Sequence, residues 1–415
     1  MHPSRKPPLR RRPGGNAQAW RKGACLLAEK PGQRAKCDDL DGFAQCGFVA
    51  LSHGLAYTCG FSFTFLHMSK RVLLSGATGL IGGELMLLLA ARGVYSTAVV
   101  RAADSNQARD RLLERLKKSV LWNPEFAEMV SAEAGDVVEP NFGLSTAVLQ
   151  SADVILHSAA STSFKPGAGV YPINIKAAEN FSAILKNLAP SQRGFFVGTA
   201  AVTTEPRGVI TEDMPFAGYA NDYIRSKRDA ETLLRAAGSP FVSLRPGIVL
   251  SRGIDDAKLS RNMLWSIPVM AELGDVPLDP LARLDFAPVD FIAGAFAEML
   301  LKDELAHDCY HVSTGEDSMT FKVLADELTA TMPGIGKLVM RGRDFVPTPK
   351  FARQRWMFEA LQPYLPFLTA DAVFSNARLR AEIGAAAVAP APVSYLGELL
   401  GTFSLSDAVR QMYTP

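Results

Sequence analysis

The sequence is poor in cysteine, with five in 415 residues. Four lie before residue 68 and one lies after it, namely Cys25, Cys37, Cys46, Cys59 and Cys309. So few cysteines exclude a disulfide framework and favour a reducing compartment, and we therefore expect a cytoplasmic protein. The first four also lack the closely spaced pair that structural zinc sites use, so no metal site is expected.

The sequence also has little net charge, because 44 Lys and Arg oppose 42 Asp and Glu, for a formal charge of +2. Residues 1–67 hold ten basic and four acidic side chains, which leaves 34 basic and 38 acidic in residues 68–415. The longer part is therefore mildly acidic, so we expect neither nucleic acid nor an anionic membrane as its partner.

Residues 1–67 differ in composition from the rest of the chain. A basic stretch precedes residues 43–66, which contain no charged side chain, an order typical of a signal or an anchor. Glycines and polar residues interrupt this stretch, so we expect no stable membrane insertion. We interpret residues 1–67 as an extension that is either disordered or precedes the true start at Met68.

From Val72 onward, short apolar runs alternate with amphipathic stretches, the pattern of strand–helix–strand units. Several runs are apolar on both faces, as buried parallel strands require. The predicted strands cover 71–75, 97–101, 131–135, 153–157, 194–198 and 241–245. The predicted helices cover 80–92, 105–118, 171–188, 221–237 and 289–302. The expected fold class is therefore α/β, a doubly wound parallel sheet (Rossmann fold) with a smaller, partly helical C-terminal substrate lobe.

The alternation weakens after residue 250, where prolines become frequent. Later helical segments are predicted over 319–331, 349–362 and 392–412. We expect a nucleotide-binding domain over 68–250 and a substrate lobe over 251–415, some elements of which return to the first domain.

A glycine-rich loop follows the first predicted strand and opens the first predicted helix. Small residues let the backbone approach a pyrophosphate, and the helix N-terminus supplies unpaired N–H groups and a partial positive charge. A glycine triplet in this strand–turn–helix context indicates a dinucleotide site. We expect cofactor contacts from Gly76, Thr78, Gly79, Leu80, Ile81 and Gly82.

The end of the second predicted strand bears on the choice of cofactor. Arg101 stands where an acidic residue would bond the ribose 2′-hydroxyl of NAD, and its guanidinium instead suits a 2′-phosphate. NADPH is therefore favoured over NADH. Arg111 is a candidate second phosphate contact, with a solvated surface position as the alternative. Asp136 and Val137 are expected to bracket the adenine, unless Asp136 only caps its turn.

Tyr223 and Lys227 have the i, i+4 spacing that places two side chains on one helix face. Thr199 follows an apolar strand, so the three groups are expected to meet at the carboxyl edge of the sheet. Hydride that arrives at a carbonyl carbon leaves an alkoxide, which needs a proton. We predict Tyr223 as the general acid, Lys227 as the charge that lowers its pKa and as a ribose ligand, and Thr199 as the hydroxyl that orients the substrate oxygen.

Together these motifs resemble the extended short-chain dehydrogenase/reductase family over about residues 70–314. Finer features are similar to its thioester-reductase branch, which includes the fatty acyl-CoA reductases (male-sterility proteins) and the reductase domains of carboxylic acid reductases. These features are Val100-Arg101-Ala102, His157-Ser158-Ala159-Ala160, the segment 197–202, Arg245-Pro246-Gly247 and Pro288-Val289-Asp290. Gly198 and Ser75 depart from the branch, in which Ser and Thr are common at these positions.

The resemblance implies reduction of an acyl thioester by NADPH to an aldehyde or an alcohol. It also implies that Ser158, Ala159 and Ala160 supply backbone surface beneath the cofactor. Because residues 1–67 are too short for an adenylation or carrier domain, we expect the acyl group to arrive on coenzyme A or on a separate carrier protein. A homodimer is a further expectation.

Two other functions suit the same fold. One is an NAD(P)-dependent epimerase, dehydratase or hydroxyl dehydrogenase that acts on a nucleotide-sugar or a sterol-like alcohol. The other is a cofactor-sensing scaffold without chemistry, against which Thr199, Tyr223 and Lys227 argue. A nucleotide-sugar site should show convergent Arg and Asn, whereas the apolar residues of the lobe suit an acyl chain or a plain core. They are Trp265, Met270, Trp356, Met357, Phe358, Leu361, Tyr364, Phe367 and Phe374.

Overall fold

The computed structural model describes residues 70–164, 167–202, 207–216, 221–255, 265–331 and 338–401. Our expectations for residues 1–67 and for the end of the segment 392–412 lie outside these ranges. Within them, no helix is both long and apolar enough to cross a membrane.

Seven strands of the described chain form one parallel sheet, and the other strands form short pairs. In chain order the strands are β1 (Val72–Ser75), β2 (Ser96–Val100), β3 (Val130–Ala134), β4 (Val154–His157), β5 (Arg193–Val197), β6 (Gly208–Ile210), β7 (Val242–Pro246), β8 (Ile248–Leu250), β9 (Asp275–Val276), β10 (Arg283–Leu284), β11 (Phe286–Pro288), β12 (Cys309–Val312), β13 (Met319–Thr320), β14 (Val339–Met340) and β15 (Ala372–Phe374). The central order is β12-β7-β5-β4-β1-β2-β3. From β1 the strands are added toward one edge of the sheet as far as β3, and from β4 onward they are added toward the other edge. The reversal leaves a crevice between β1 and β4 at the carboxyl ends of the strands, and α/β sheets bind ligands in such crevices.

The predicted fold class is confirmed, and six of the central strands lie within one residue of their predicted bounds. The seventh central strand, β12, was not predicted. Its sequence Cys-Tyr-His-Val mixes polar and aromatic residues, although all four side chains are buried. Pairing with β7, in which Cys309 lies opposite Ser243, fixes this segment in the sheet.

The helices alternate with the strands as the sequence indicates. They are α1 (Leu80–Ala91), α2 (Ser105–Leu116), α3 (Thr146–Gln150), α4 (Val170–Lys186), α5 (Asp222–Ala236), α6 (Ser266–Leu273), α7 (Val289–Leu301), α8 (Phe321–Thr331), α9 (Ala352–Leu361), α10 (Leu365–Leu368), α11 (Ala377–Ile383) and α12 (Leu396–Gly401). The five helices predicted between residues 80 and 302 end within two residues of their predicted bounds. In the C-terminal region, α8, α9 and α12 fall inside the predicted segments.

Hydrophobic side chains cover both faces of the central sheet. Leu74 packs with residues of α1, α2 and α7, whereas its neighbour Leu73 packs with residues of α4 and α5. Successive strand residues point to opposite faces, so this division is what a doubly wound sheet requires. A third cluster, which includes Met270 and Leu324, fills the C-terminal region. Both α7 and β12 follow residue 250 yet belong to the layers of the central sheet, and a domain boundary at residue 250 stays a prediction.

Candidate functional site

The glycine-rich loop joins β1 to α1 at the crevice of the sheet. Gly76 has a φ of +85°, and the N–H of Gly79 donates to the Gly76 carbonyl at 2.9 Å. A Cβ on Gly82 would lie 2.4 Å from that carbonyl oxygen, so glycine is required there. Gly79 caps α1 without a side-chain hydrogen bond, which leaves amide groups at this N-terminus available to phosphate. These features fit the pyrophosphate of a dinucleotide.

A buried arginine on α2 supports this loop from behind. Arg115 donates from Nε to the Gly79 carbonyl at 3.3 Å and from Nη2 to the Leu80 carbonyl at 3.4 Å. It also forms an ion pair with Glu84 on α1, at 3.0 Å. Because both charges are buried, loss of either partner would leave the other unpaired away from water. This pair was not predictable from the sequence, since Arg115 lies in an ordinary amphipathic helix.

The turn after β4 packs directly against the phosphate loop. Ser75 Oγ accepts hydrogen bonds from the N–H groups of Ser158 and Ala159, each at 3.2 Å. A Cβ on Gly76 would lie 2.7 Å from the Ala159 nitrogen, so the two backbone turns touch. Ser158, Ala159 and Ala160 line the same cavity as the loop, and they are placed to form a backbone surface beneath a bound cofactor.

His157, at the end of β4, belongs to the support of the site. It is almost completely buried and shares a hydrogen bond with Ser75 Oγ at 2.8 Å. Burial, and secondarily the charge of Lys227, lowers the pKa of His157 to about 3. The imidazole is therefore neutral at physiological pH and packs among the rings of Phe142 and Phe181.

The residues expected around the adenosine lie at one end of the cavity. Arg101, Asp136 and Val137 line it. The guanidinium of Arg111 donates to the backbone carbonyl of Arg101, so Arg111 lies beside the residue predicted to bind the 2′-phosphate. Arg111 itself is not among the described residues that line the cavity. Asp136 also accepts a hydrogen bond from the N–H of Val138 at 3.2 Å, so it caps its own turn as well as facing the cavity.

Thr199, Tyr223 and Lys227 line the same cavity, which has a volume of about 860 Å³. Thr199 follows β5, and the other two side chains come from the first turns of α5. The side chain of Asn221 caps α5 by accepting a hydrogen bond from the Ile224 N–H at 3.0 Å. This cap fixes the start of the helix, and with it the positions of Tyr223 and Lys227.

Burial dominates the pKa values of Tyr223 and Lys227. It raises the pKa of Tyr223 to about 12, and the opposing effect that we predicted for Lys227 stays a prediction. Burial also lowers the pKa of Lys227 to about 8, although nearby Glu231 acts in the opposite direction. The physical reason is that desolvation disfavours the charged form of each group. At neutral pH the phenol is protonated, which is the state that a proton donor needs.

Asn174 holds the helices beneath the site together. Its Oδ1 accepts from the Ser161 N–H at 2.8 Å, and its Nδ2 donates to the Ser161 carbonyl and to Ser226 Oγ. Ser226 in turn donates to the Tyr223 carbonyl at 2.7 Å. Asn174 therefore connects the turn after β4 to the helix that carries Tyr223, a link between positions far apart in sequence.

A buried ion pair lies one turn beyond Lys227 on α5. Glu231 accepts from Arg245 Nη2 at 2.7 Å and from Arg245 Nε at 2.9 Å, and both side chains are almost fully buried. Burial alone would raise the pKa of Glu231, but the hydrogen bonds and charge of Arg245 hold that pKa below its usual value. A Cβ on Gly198 would lie 3.1 Å from Arg245 Cγ and 3.3 Å from Glu231 Oε2. The ion pair therefore fills the space beside Gly198, the position at which the thioester-reductase branch commonly has Ser.

Eight of the nine apolar residues singled out in the C-terminal region form two groups, and half-buried Phe358 belongs to neither. Trp265, Tyr364, Phe367 and Phe374 line the cavity. Met270, Met357 and Leu361 are completely or almost completely buried in the third hydrophobic cluster, and Trp356 packs against that cluster. Sequence periodicity cannot separate the two groups, because both come from helical or strand segments of similar composition. The sequence also gave no reason to single out Phe164, which the fold brings into the wall.

Asp285 is a further cavity residue that the sequence did not indicate. Its Oδ1 accepts from the N–H of Thr314 at 2.9 Å and from its hydroxyl at 2.6 Å. Its Oδ2 is buried without a hydrogen-bond partner in the described part of the chain, and a Cβ on Gly247 would lie 2.3 Å from it. Burial raises the pKa of Asp285 to about 6, although the hydrogen bonds from Thr314 oppose the shift.

Comparison with known proteins places these features in a family. A family model described as "Male sterility protein" matches residues 74–296. Among curated proteins, the peramine synthetase ppzA of Metarhizium majus is 30% identical over 213 residues, which is 47% of this chain and 8% of that protein. The aldehyde reductase lnbA of Aspergillus flavus is 25% identical over 298 residues, 65% of this chain and 28% of that protein. The chain thus spans only a small part of the first of these relatives.

Solved structures share the fold at low sequence identity. The terminal R domain from the myxalamid PKS-NRPS biosynthetic pathway has a TM-score of 0.63 at 22% identity, covering 83% of this chain and 92% of that chain. The Bordetella bronchiseptica enzyme WbmH, solved in complex with NAD+, has a TM-score of 0.54 at 19% identity, covering 83% of this chain and 99% of that chain. Both likenesses support the Rossmann architecture.

Gly82→Ala should weaken cofactor binding, because the added Cβ meets the Gly76 carbonyl and must displace α1 from the loop. We expect the Kd for NADPH, measured by isothermal titration, to rise at least tenfold, about 1.4 kcal/mol. Gly294→Ala in α7 is the matched control, since a Cβ there meets no atom within 4 Å in the described structure. An unchanged Kd in Gly82→Ala would contradict this assignment of the loop.

Asp285→Asn should remove a pH dependence of stability. Because burial raises the pKa of Asp285 to about 6, the folded protein holds this proton more tightly than the unfolded chain. The stabilisation that protonated Asp285 gives the folded state is complete below about pH 4 and is lost as the pH rises through about 6. The unfolding free energy of the variant relative to wild type should therefore rise between pH 4 and 7, by on the order of 3 kcal/mol, in urea denaturation. Asp344→Asn, at an exposed carboxyl, is the matched control. If the pH dependence of the difference is no larger for Asp285→Asn than for this control, the assignment is wrong.

Proposed function

Because the chain belongs to the male sterility protein family, an NAD(P)-binding branch of the extended short-chain dehydrogenases/reductases, we propose that it reduces acyl thioesters with NADPH. Hydride addition and protonation of the oxygen give a hemithioacetal, whose C–S bond then breaks as the hydroxyl proton passes to the sulfur, so that the thiol leaves and an aldehyde remains. A second hydride and a second proton convert the aldehyde to an alcohol. The observation that carries this proposal is one cavity that contains the phosphate loop, the three polar groups Thr199, Tyr223 and Lys227, and aromatic side chains that come mostly from the C-terminal region.

Each polar group has a separate task in this reaction. NADPH, when bound, supplies the hydride that adds to the thioester carbonyl carbon. Tyr223, protonated at neutral pH, donates its phenolic proton to the oxygen that becomes negative. The hydroxyl of Thr199 donates a hydrogen bond that orients this oxygen, and the Lys227 ammonium stabilises negative charge near the phenol.

The choice of NADPH rests on Arg101 and Arg111. Arg101 faces the cavity at the end of β2, and Arg111 lies against its backbone. Two guanidinium groups at this place suit the 2′-phosphate, because charge-assisted hydrogen bonds to phosphate are stronger than those to a hydroxyl. Asp136 and Val137 are proposed to flank the adenine.

The acyl group is proposed to arrive as a thioester on coenzyme A or on a carrier protein. The relatives support this source: one is named a peramine synthetase, another is a linear gramicidin synthase subunit, and a structural neighbour is a thiolation-reductase di-domain.

An epimerase is the second candidate, because UDP-glucuronic acid 4-epimerase shares the fold. Against it, Arg283 in the cavity wall already donates to the carbonyls of Glu316 and Ser318, whereas a sugar diphosphate needs available cations.

The decisive experiment measures NADPH oxidation with acyl-CoAs, aldehydes and UDP-sugars in the wild type and in Tyr223→Phe. We expect thioester turnover, and a loss of about 10²- to 10⁴-fold in kcat for the variant, because it lacks the proton donor. Tyr95→Phe, at a tyrosine 54% exposed at the opposite end of β2, is the matched control and should keep full activity. Turnover of sugars without thioesters, or full activity in Tyr223→Phe, would refute the proposal.

Arg101→Ala tests the cofactor assignment. Loss of charge-assisted hydrogen bonds should lower the ratio of kcat/KM for NADPH over NADH by about 10- to 100-fold. Arg71→Ala, at an exposed arginine just before β1 and thus at the amino edge of the sheet, removes the same charge and should leave the ratio unchanged. A constant ratio in Arg101→Ala would mean that another group selects the cofactor.

A further inference from the structure

A continuous set of aromatic rings runs from Tyr223 into the C-terminal region. The ring of Phe164 lies 5.5 Å from that of Tyr223, 5.0 Å from that of Tyr364 and 5.1 Å from that of Phe367, centroid to centroid. Trp265 meets Tyr364 edge-on at 5.1 Å. All five line the cavity, and we call Phe164, Trp265, Tyr364 and Phe367 the aromatic wall.

Three rings of the aromatic wall, those of Phe164, Tyr364 and Phe367, keep partial exposure and form a surface of the cavity. Trp265 is only 7% exposed and belongs to the third hydrophobic cluster, so it lines the cavity from the edge of the core. The rings also come from separate parts of the chain: the turn after β4, the start of α6 and the segment around α10. An apolar surface of this kind is costly to keep hydrated and marks a binding site.

The position of Phe164 relates the aromatic wall to the reacting atoms. Tyr223 is proposed to protonate the carbonyl oxygen, and its ring lies 5.5 Å from that of Phe164, so a substituent on the same carbonyl carbon is within reach of Phe164. Phe164 and Phe367 stack on one another at 18°, which leaves ring edges and outer faces for a ligand. Edge-to-face and offset contacts favour another aromatic ring beyond its buried area.

On this basis, and resting on the proposed function, we propose that the site selects acyl thioesters that carry an aromatic ring close to the carbonyl. A rigid ring also loses fewer rotamers on binding than a flexible chain of the same size, so both effects act in one direction. Phe164 is the main specificity-determining residue, and Tyr364 and Phe367 hold it in place.

Binding is best measured in the presence of NADP+, which cannot deliver hydride, so that no turnover occurs. Phenylacetyl-CoA and octanoyl-CoA have equal carbon counts and are titrated calorimetrically against the full chain. We expect phenylacetyl-CoA to bind about three- to tenfold more tightly, the range that aromatic pairing contributes. Equal affinities, a preference for octanoyl-CoA, or no binding of either would overturn the inference.

Two variants localise the effect. Phe164→Leu keeps apolar volume but removes the ring, and it should bring the ratio of the two dissociation constants to about one. Phe351→Ala, at a phenylalanine that is 68% exposed outside the cavity wall, should keep the wild-type ratio. Retention of the preference in Phe164→Leu, with NADP+ affinity unchanged, would remove Phe164 from this role.

The proposed function is tested apart from this inference by NADPH turnover of the same two thioesters. A wild type that binds phenylacetyl-CoA more tightly but reduces no thioester contradicts the proposed function alone. A wild type that reduces both thioesters but binds them equally contradicts the aromatic selectivity alone.

Discussion

The site depends on the contact between two backbone turns at the carboxyl edge of the sheet, after β1 and after β4. Glycine at position 76 lets the turns touch, and the Ser75 hydroxyl accepts hydrogen bonds from both amide groups of the second turn. The crevice opens here because the strand order reverses at these two strands. From this contact the phosphate loop runs into α1, and the second turn reaches α5 through Asn174. A change in the contact would therefore displace both the cofactor loop and the helix of Tyr223.

Buried charge sets the protonation states around this contact. Glu231 is shared by Arg245 and by Arg235, so one carboxylate holds α5 against β7. The same carboxylate partly offsets the burial of Lys227, whose pKa of about 8 keeps most of its charge at neutral pH. That charge in turn helps keep His157 neutral. The resulting site pairs a protonated phenol with a nearby ammonium, a combination that favours donation of a proton to a developing oxyanion.

The C-terminal region gives the cavity its second, chemically different end. Glycines and backbone amides form the cofactor side, whereas Trp265, Tyr364 and Phe367 form an apolar side close to the phenol. Asp285 lies in the same wall with one carboxylate oxygen held by Thr314. The glycine-rich loop and most of the aromatic wall therefore come from different stretches of one chain, and Phe164, in the turn after β4, is the exception.

Features that depend on neighbouring residues were predictable from the amino-acid sequence. Strand–turn–helix order, the glycine spacing from Gly76 to Gly82 and the shared helix face of Tyr223 and Lys227 are local, and the structure agrees with each. Four further features required the folded chain: the place of β12, the ion pair of Arg115, the aromatic residues that face the cavity, and the upward shift of the Tyr223 pKa. Burial and pairing arise between segments far apart in the chain, and the desolvation that raises the Tyr223 pKa exists only once those segments have packed.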